Sequence, residues 1–142
     1  MAVLYRKVWY CVTLLFLCSC ADSPDVPPFN FHCRLKLEDT SRADKNNIDV
    51  FLFEPKSAEV VNVSFRYNEI DIQVQDRGVF LNQTIDYVII VRFMQGNQNR
   101  NDIIKVKYHF NNAGLPNIKS AFYNAEKPIF MTNDIVVFNL FN

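Results

Sequence analysis

Ile85-Asp-Tyr-Val-Ile-Ile-Val-Arg-Phe93, inside the segment Thr84 to Met94, is β-branched or aromatic at every position except Asp86 and Arg92. Such side chains suit a pleated surface and lose rotamer freedom in a helix. Apolar residues at consecutive positions, rather than alternate ones, predict a central strand covered on both faces.

The pattern on either side has a period of two. Downstream, the polar stretch Gln95-Gly-Asn-Gln-Asn-Arg-Asn101 reads as a loop, after which Ile104, Val106, Tyr108 and Phe110 alternate with Lys105, Lys107 and His109. Asn117 to Tyr123 and Asp134 to Phe141 are shorter strand candidates, separated by Glu126-Lys-Pro128. Upstream, Cys33, Leu35 and Leu37 alternate with Arg34, Lys36 and Glu38, and Asn47 to Glu54 forms a second candidate. Val60 to Tyr67 is a third, with Val61, Val63, Phe65 and Tyr67 expected on one face, and Glu69 to Gln75 a fourth, with Ile70, Ile72 and Val74 inward. No stretch holds a helical period with caps. Strands recurring every ten to fifteen residues predict an all-β fold, a single β-sandwich of seven or eight mostly antiparallel strands. The sandwich domain is expected over residues 31–142.

The start of the chain is of another kind. Arg6 and Lys7 precede the uncharged run Val8-Trp-Tyr-Cys-Val-Thr-Leu-Leu-Phe-Leu17, and small residues follow in Cys18-Ser-Cys-Ala21. That layout is a secretory signal, and the apolar run is shorter than the roughly 20 residues a spanning helix needs. Leu17-Cys-Ser-Cys20 resembles the lipobox of bacterial lipoproteins, which implies a signal peptide over 1–19 and a lipid-modified Cys20 as the first mature residue. The alternative is an ordinary signal that happens to end in cysteines. Residues 20–30 carry three prolines, Pro24, Pro27 and Pro28, and read as an extended tether between lipid and domain.

Composition sets further bounds. Cleavage before Cys20 leaves 123 residues, enough for one core. Without Arg6 and Lys7, 13 Lys plus Arg stand against 15 Asp plus Glu, so the basic face that nucleic acid requires is missing. With Cys20 acylated, Cys33 is left alone, which argues against a disulfide-stapled scaffold. Twelve Phe and four Tyr beyond the signal supply the core instead.

Three segments carry a resemblance to a family. Leu35-Lys-Leu-Glu-Asp-Thr-Ser-Arg-Ala-Asp44 is similar to the Leu-Glu-Asp-x-Ser-x-Ala-Asp segment of small bacterial lipoproteins, the type III secretion chaperones called pilotins and their housekeeping relatives. Val61-Asn-Val-Ser-Phe-Arg-Tyr-Asn-Glu-Ile70 and Asp86-Tyr-Val-Ile-Ile-Val-Arg-Phe93 resemble two of that family's strands, in the same order over Cys33 to Phe93. Beyond this point a longer insertion runs from Gln95 to Phe110, with Lys127-Pro-Ile-Phe-Met-Thr132 and Val136-Val-Phe-Asn-Leu140 as closing strands. The resemblance implies a non-enzymatic lipoprotein on the periplasmic side of the outer membrane. There it binds and localises a secretin or another secretion-system component. A housekeeping envelope lipoprotein of structural role is the reading nearest to it.

Motifs for chemistry are sparse. Glu38-Asp39, Thr40, Ser41 and Asp44 have side chains that bond nearby backbone and fix a turn. The spacing of Asp39 and Asp44 lacks the glycine and terminal glutamate of a calcium loop. His32, Cys33 and His109 have no paired spacing for zinc, so no metal and no cofactor are expected. No nucleophile elbow or phosphate-cradling loop occurs, and no catalytic residues are assigned. Asn62-Val-Ser64 and Asn82-Gln-Thr84 fit the glycosylation acceptor pattern, which supports a different reading, a secreted eukaryotic or viral β-sandwich glycoprotein that binds a host protein.

Overall fold

Alternation of apolar and polar side chains lets a strand bury one face, and two such faces close on each other as a sandwich. The computed structural model describes residues 27–37, 47–95 and 98–140 of the chain. In order, the strands are β1 (Phe29–Leu37), β2 (Ile48–Glu54), β3 (Ala58–Arg66), β4 (Glu69–Asp76), β5 (Gln83–Gln95), β6 (Gln98–Phe110), β7 (Pro116–Tyr123), β8 (Phe130–Met131) and β9 (Ile135–Leu140). One sheet has the order β3-β4-β1-β9-β8 and the other β2-β5-β6-β7. β1 and β9 run parallel, and the other strand pairs are antiparallel. The all-β sandwich read from the pattern is therefore observed. All eight segments expected from periodicity are strands, and the ninth, β8, is two residues long and lies inside the closing segment Lys127 to Thr132.

Four details differ from expectation, each for a local reason. The polar stretch Gln95 to Asn101 is mostly strand, because β5 and β6 stay paired as far as Gln95 opposite Gln98. On β3 the register shifts between Val60 and Asn62, so Val61 is the extra residue of a bulge and is exposed. Val60 and Val63 then both face inward, opposite Val74 and Ile72, while Tyr67 leaves the face altogether, exposed in the turn with φ 50°. Among the described side chains of β5 only Tyr87, Ile89, Val91 and Phe93 are buried, whereas Val88 and Ile90 on the outer face are half-buried. Phe29 and Asn30, placed in the tether by sequence, already pair with Asp76 and Gln75. The signal peptide, Cys20 and the tether as far as Val26 lie outside the described residues, as do Asp39 and Asp44.

One end of the core is aromatic and joins the two sheets. Phe29 packs edge-on to Tyr108 at 4.8 Å and to Phe110 at 5.2 Å, and Phe31 packs edge-on to Tyr87 at 4.9 Å. Such pairs are worth about 0.5–1.5 kcal/mol beyond area burial. A buried phenol needs a partner for its hydroxyl. Tyr87 donates to Asp76 Oδ2 at 2.8 Å, and Tyr108 to the carbonyl of Asn133 at 2.9 Å. Each bond runs from the β5–β6 sheet to the opposite layer. Asp76 is fully buried, and its Oδ1 accepts from Gly78 N at 2.8 Å, which turns the chain back over the aromatic end. A Cβ at position 78 would meet the Phe80 ring at 2.2 Å, so this close approach requires glycine.

Removing a donor from a buried carboxylate is costlier than removing one from a carbonyl at the surface. Tyr87→Phe is expected to lower unfolding free energy by about 2–3 kcal/mol and Tyr108→Phe by about 1 kcal/mol. Urea denaturation at unchanged m-value measures both. Equal losses would contradict the role given to Asp76.

Candidate functional site

The most distinctive polar cluster begins with Asp102, which sits on the inward face of β6 at 2% exposure. An isolated carboxylate there would be unfavourable, so it must be paired and hydrogen-bonded. Arg100, two residues earlier on the same face, donates from Nε at 3.0 Å to both carboxylate oxygens and from Nη2 at 2.5 Å to Oδ2. The Tyr123 hydroxyl on β7 donates to Asp102 Oδ2, and Asn124 Nδ2 donates to Oδ1 at 2.8 Å. The Arg100 guanidinium also lies over the Phe93 ring at 5.2 Å.

This cluster fixes the end of β7. Asn124 Oδ1 accepts from Ile103 N at 2.8 Å, and Asn124 N donates to the Ile103 carbonyl at 2.9 Å. Tyr123 and Glu126 exchange backbone bonds of 2.9 and 2.8 Å around the two-residue turn Asn124-Ala125, with φ 46° and 73°. Both central residues are left-handed, the condition for a type I′ hairpin turn. Alanine tolerates this conformation at a cost of about 1–2 kcal/mol, which the locked Asn124 overcomes.

Burial by itself pushes the Asp102 carboxyl upward. The hydrogen bonds from Arg100, Tyr123 and Asn124, with the Arg100 charge, outweigh it and hold the group below the usual carboxylate range. The Tyr123 hydroxyl is pushed up by burial and by Asp102, so it stays a neutral donor.

Beside this anchor lies a groove. β7 is the last strand of its sheet, and among the described residues its outer edge is bonded at two points, Ile118 N to Asn133 Oδ1 at 3.1 Å and Tyr123 to Glu126. Between them, Lys119 to Phe122 faces a cleft of about 380 Å³ whose far wall is Lys127 to Met131. Ile129, Phe130 and Met131 are 52%, 55% and 40% exposed, so this wall is apolar and open to solvent. Lys119 and Lys127 rim it, and among the described residues no carboxylate lines it. Around Phe122 it adjoins a second depression of about 430 Å³ that reaches Ile103, Asn124 and Ala125.

The residues singled out by sequence do not converge here. His32 bonds Asp71 on the outer face of β1, at 3.2 Å, while Cys33 points into the core as a buried free thiol, pushed upward by burial. His109 bonds Thr84 at 3.1 Å on the other sheet. The three thus share no site, and among the described residues no group of three or more His, Cys, Asp or Glu is placed to hold a metal. Asn62 on edge strand β3 and Asn82 in a turn at φ 52° are both exposed. Sequence reading misses the Asp102 cluster because it gives Arg100 and Asn101 to a loop and starts the next strand at Ile104, leaving Asp102 unassigned; the signal is the alternation Asp102, Ile104, Val106, which puts the acid on the buried face.

Asp102→Asn is expected to lower stability at neutral pH by about 2–3 kcal/mol. Because the folded value lies below the unfolded one, ionised Asp102 stabilises above about pH 4 and that contribution disappears as pH falls through the folded value. The variant should therefore lose less stability on acidification than the parent, and parallel curves in a thermal melt series would exclude Asp102 as the titrating group. Ala125→Gly should raise stability by about 1 kcal/mol by relieving the left-handed alanine, measured by the same melts.

No protein-family model, no curated protein and no solved structure matches this chain.

Proposed function

We propose that the chain is an exported, lipid-anchored binding protein of the pilotin kind, without catalytic function, which holds an extended segment of another exported protein along the β7 edge. Cys20 carries the anchor, and the domain faces the periplasm from the outer membrane. The observation that carries this reading is the cleft between Lys119–Phe122 and Lys127–Met131. A free strand edge offers main-chain bonds to an incoming strand, and the apolar far wall takes its alternate side chains. Two lysines at the rim and no carboxylate among the described lining residues suit a segment with acidic residues beside apolar ones. A stretch of four edge residues spans only about 13 Å, which fits a short linear segment rather than a second sheet. The partner proposed from the resemblance is a secretin.

Exposure of Asn62 and Asn82 supports the second reading, a secreted glycoprotein that binds a host protein. Intact-mass measurement separates the two, since acylation adds a defined mass at Cys20 and glycans add heterogeneous mass at Asn62 or Asn82.

Cys20→Ser is expected to move the protein from the membrane fraction to the soluble periplasm, and unchanged fractionation would contradict the anchor. Independently, overlapping peptides from the secretin encoded nearest to this chain should include one that binds with micromolar affinity and loses at least about tenfold on Phe130→Asp. If no peptide binds, the secretin assignment fails while the anchor is judged by fractionation alone.

A further inference from the structure

One end of the sandwich carries aliphatic side chains on its loop tips. β4 leads to β5 through Arg77-Gly-Val-Phe-Leu-Asn82, and β6 leads to β7 through Asn111-Asn-Ala-Gly-Leu115. Val79, Leu81 and Leu115 are 58%, 54% and 63% exposed. Hydrogen bonds hold them out. Asn111 Oδ1 accepts from Ala113 N and Leu115 N, each at 2.9 Å, and the Asn111 carbonyl accepts from Gly114 N at 2.9 Å and from Asn82 N of the neighbouring loop at 3.0 Å. Gly114 turns at φ 74° beside Leu81, whose Cδ2 a Cβ at position 114 would meet at 3.5 Å. The two tips thus form one surface. Of the residues in these loops only Arg77 is charged, and it pairs with Glu59 at 3.5 Å behind the tips. At the opposite end, Tyr67-Asn68 joins β3 to β4, Gly96-Asn97 joins β5 to β6, and Asn124-Ala125 follows β7; none of these has an aliphatic side chain larger than alanine.

The amino-terminal part of the chain enters at the same end. Phe29, the first residue of β1, packs on Phe110 at 5.2 Å, and Phe110 lies 4.9 Å from the ring of Phe80, between Val79 and Leu81. Pro27 and Pro28 before it are exposed. Eight residues, Ala21 to Pro28, separate Phe29 from Cys20. Fully extended they span at most about 30 Å. A lipid on Cys20 therefore keeps this end near the bilayer however the domain tilts, whereas β5 and β6, 13 residues each, carry the opposite end about 40 Å from the attachment.

We infer that this end of the domain docks on the bilayer surface, with Val79, Leu81 and Leu115 entering the boundary between headgroups and acyl chains. The inference rests on the anchor at Cys20 proposed above. Burying each side chain contributes on the order of 1 kcal/mol. The sum is less than that of a single acyl chain, which by itself binds a membrane only marginally. These loops would not hold a free domain at a membrane. With the tether in place the step is intramolecular, and the same energy is enough to set how the domain stands. The strands then rise from the membrane, and the cleft beside edge strand β7 begins at Lys119, four residues beyond Leu115, so docking leaves it open to a partner.

Tryptophan fluorescence of the native, processed protein tests this. Trp9, the chain's single tryptophan, leaves with the signal peptide, so Leu115→Trp, Val79→Trp and Tyr67→Trp each give a mature protein with one. The variants are placed in vesicles of phosphatidylethanolamine and phosphatidylglycerol, with and without bromine on the acyl chains. Bromolipid is expected to quench Leu115→Trp and Val79→Trp, with emission shifted to the blue, and to leave Tyr67→Trp at the opposite end unchanged. Leu81→Asp, added to either of the first two, should abolish the quenching. Either tryptophan decides if the other variant fails to fold. Intact mass of the same preparations reports the acyl group. If Cys20 carries none, the anchor fails and the inference falls with it. If Cys20 is acylated, three results overturn the inference alone: no quenching at positions 79 and 115, whether the tips stand in water or await another protein, equal quenching of Tyr67→Trp, or quenching that survives Leu81→Asp.

Discussion

Hydrogen bonds from buried tyrosine hydroxyls hold this sandwich in one arrangement. Apolar packing brings two sheets together but is non-directional, so by itself it permits sliding. Tyr87 and Tyr108 remove that freedom, because each carries an aromatic ring in the core and a hydroxyl that reaches the opposite layer at Asp76 or Asn133. Burial pushes both hydroxyls well above their ordinary value, so they act as neutral donors throughout the accessible pH range. Asp76, paired with Tyr87 and Gly78 N, in turn sets where the chain leaves β4 and how Phe80 closes the aromatic end.

The same device serves a different purpose at the other end. Tyr123 does not cross the sandwich; it reaches Asp102 within its own sheet, and that carboxylate collects Arg100 and Asn124 as well. The result is a rigid hairpin turn at the end of β7, after which the chain parts from the strand it has just made. A cleft is left where continued pairing would have covered the edge. Natural sheets usually blunt such edges with charge or cover. Here two lysines stand at the rim while Phe130 and Met131 stay exposed.

Much of the fold was legible because its signal is local. Alternation in Leu35-Lys-Leu37, Ile70-Asp-Ile72 and Ile104-Lys-Val106 assigns strand and face from a few neighbours. Val61 was misread because a one-residue bulge on β3 reverses the phase, and a bulge is set by the partner strand. The stretch Gln95 to Asn101 was misread because its polarity signals a loop, yet pairing to a strand already in place extends the ladder regardless of propensity. The site was less legible than the fold. Its lysines, its aromatics and Asp102 lie on separate strands, and nothing in their spacing announces that they meet.

The sequence by itself determined the all-β class, the single core and the faces of the regular strands. These depend on residue type and short-range period, which physical chemistry reads without knowing what lies opposite. Only the tertiary structure decided which strands are neighbours, that β1 and β9 run parallel, and that β7 ends as an open edge. It also decided that Asp102 is buried among three donors and that the outward side chains of β5 are left half-covered. Each of those depends on contacts between residues far apart in the chain, where the energy comes from what is brought together and not from the order in which it is written.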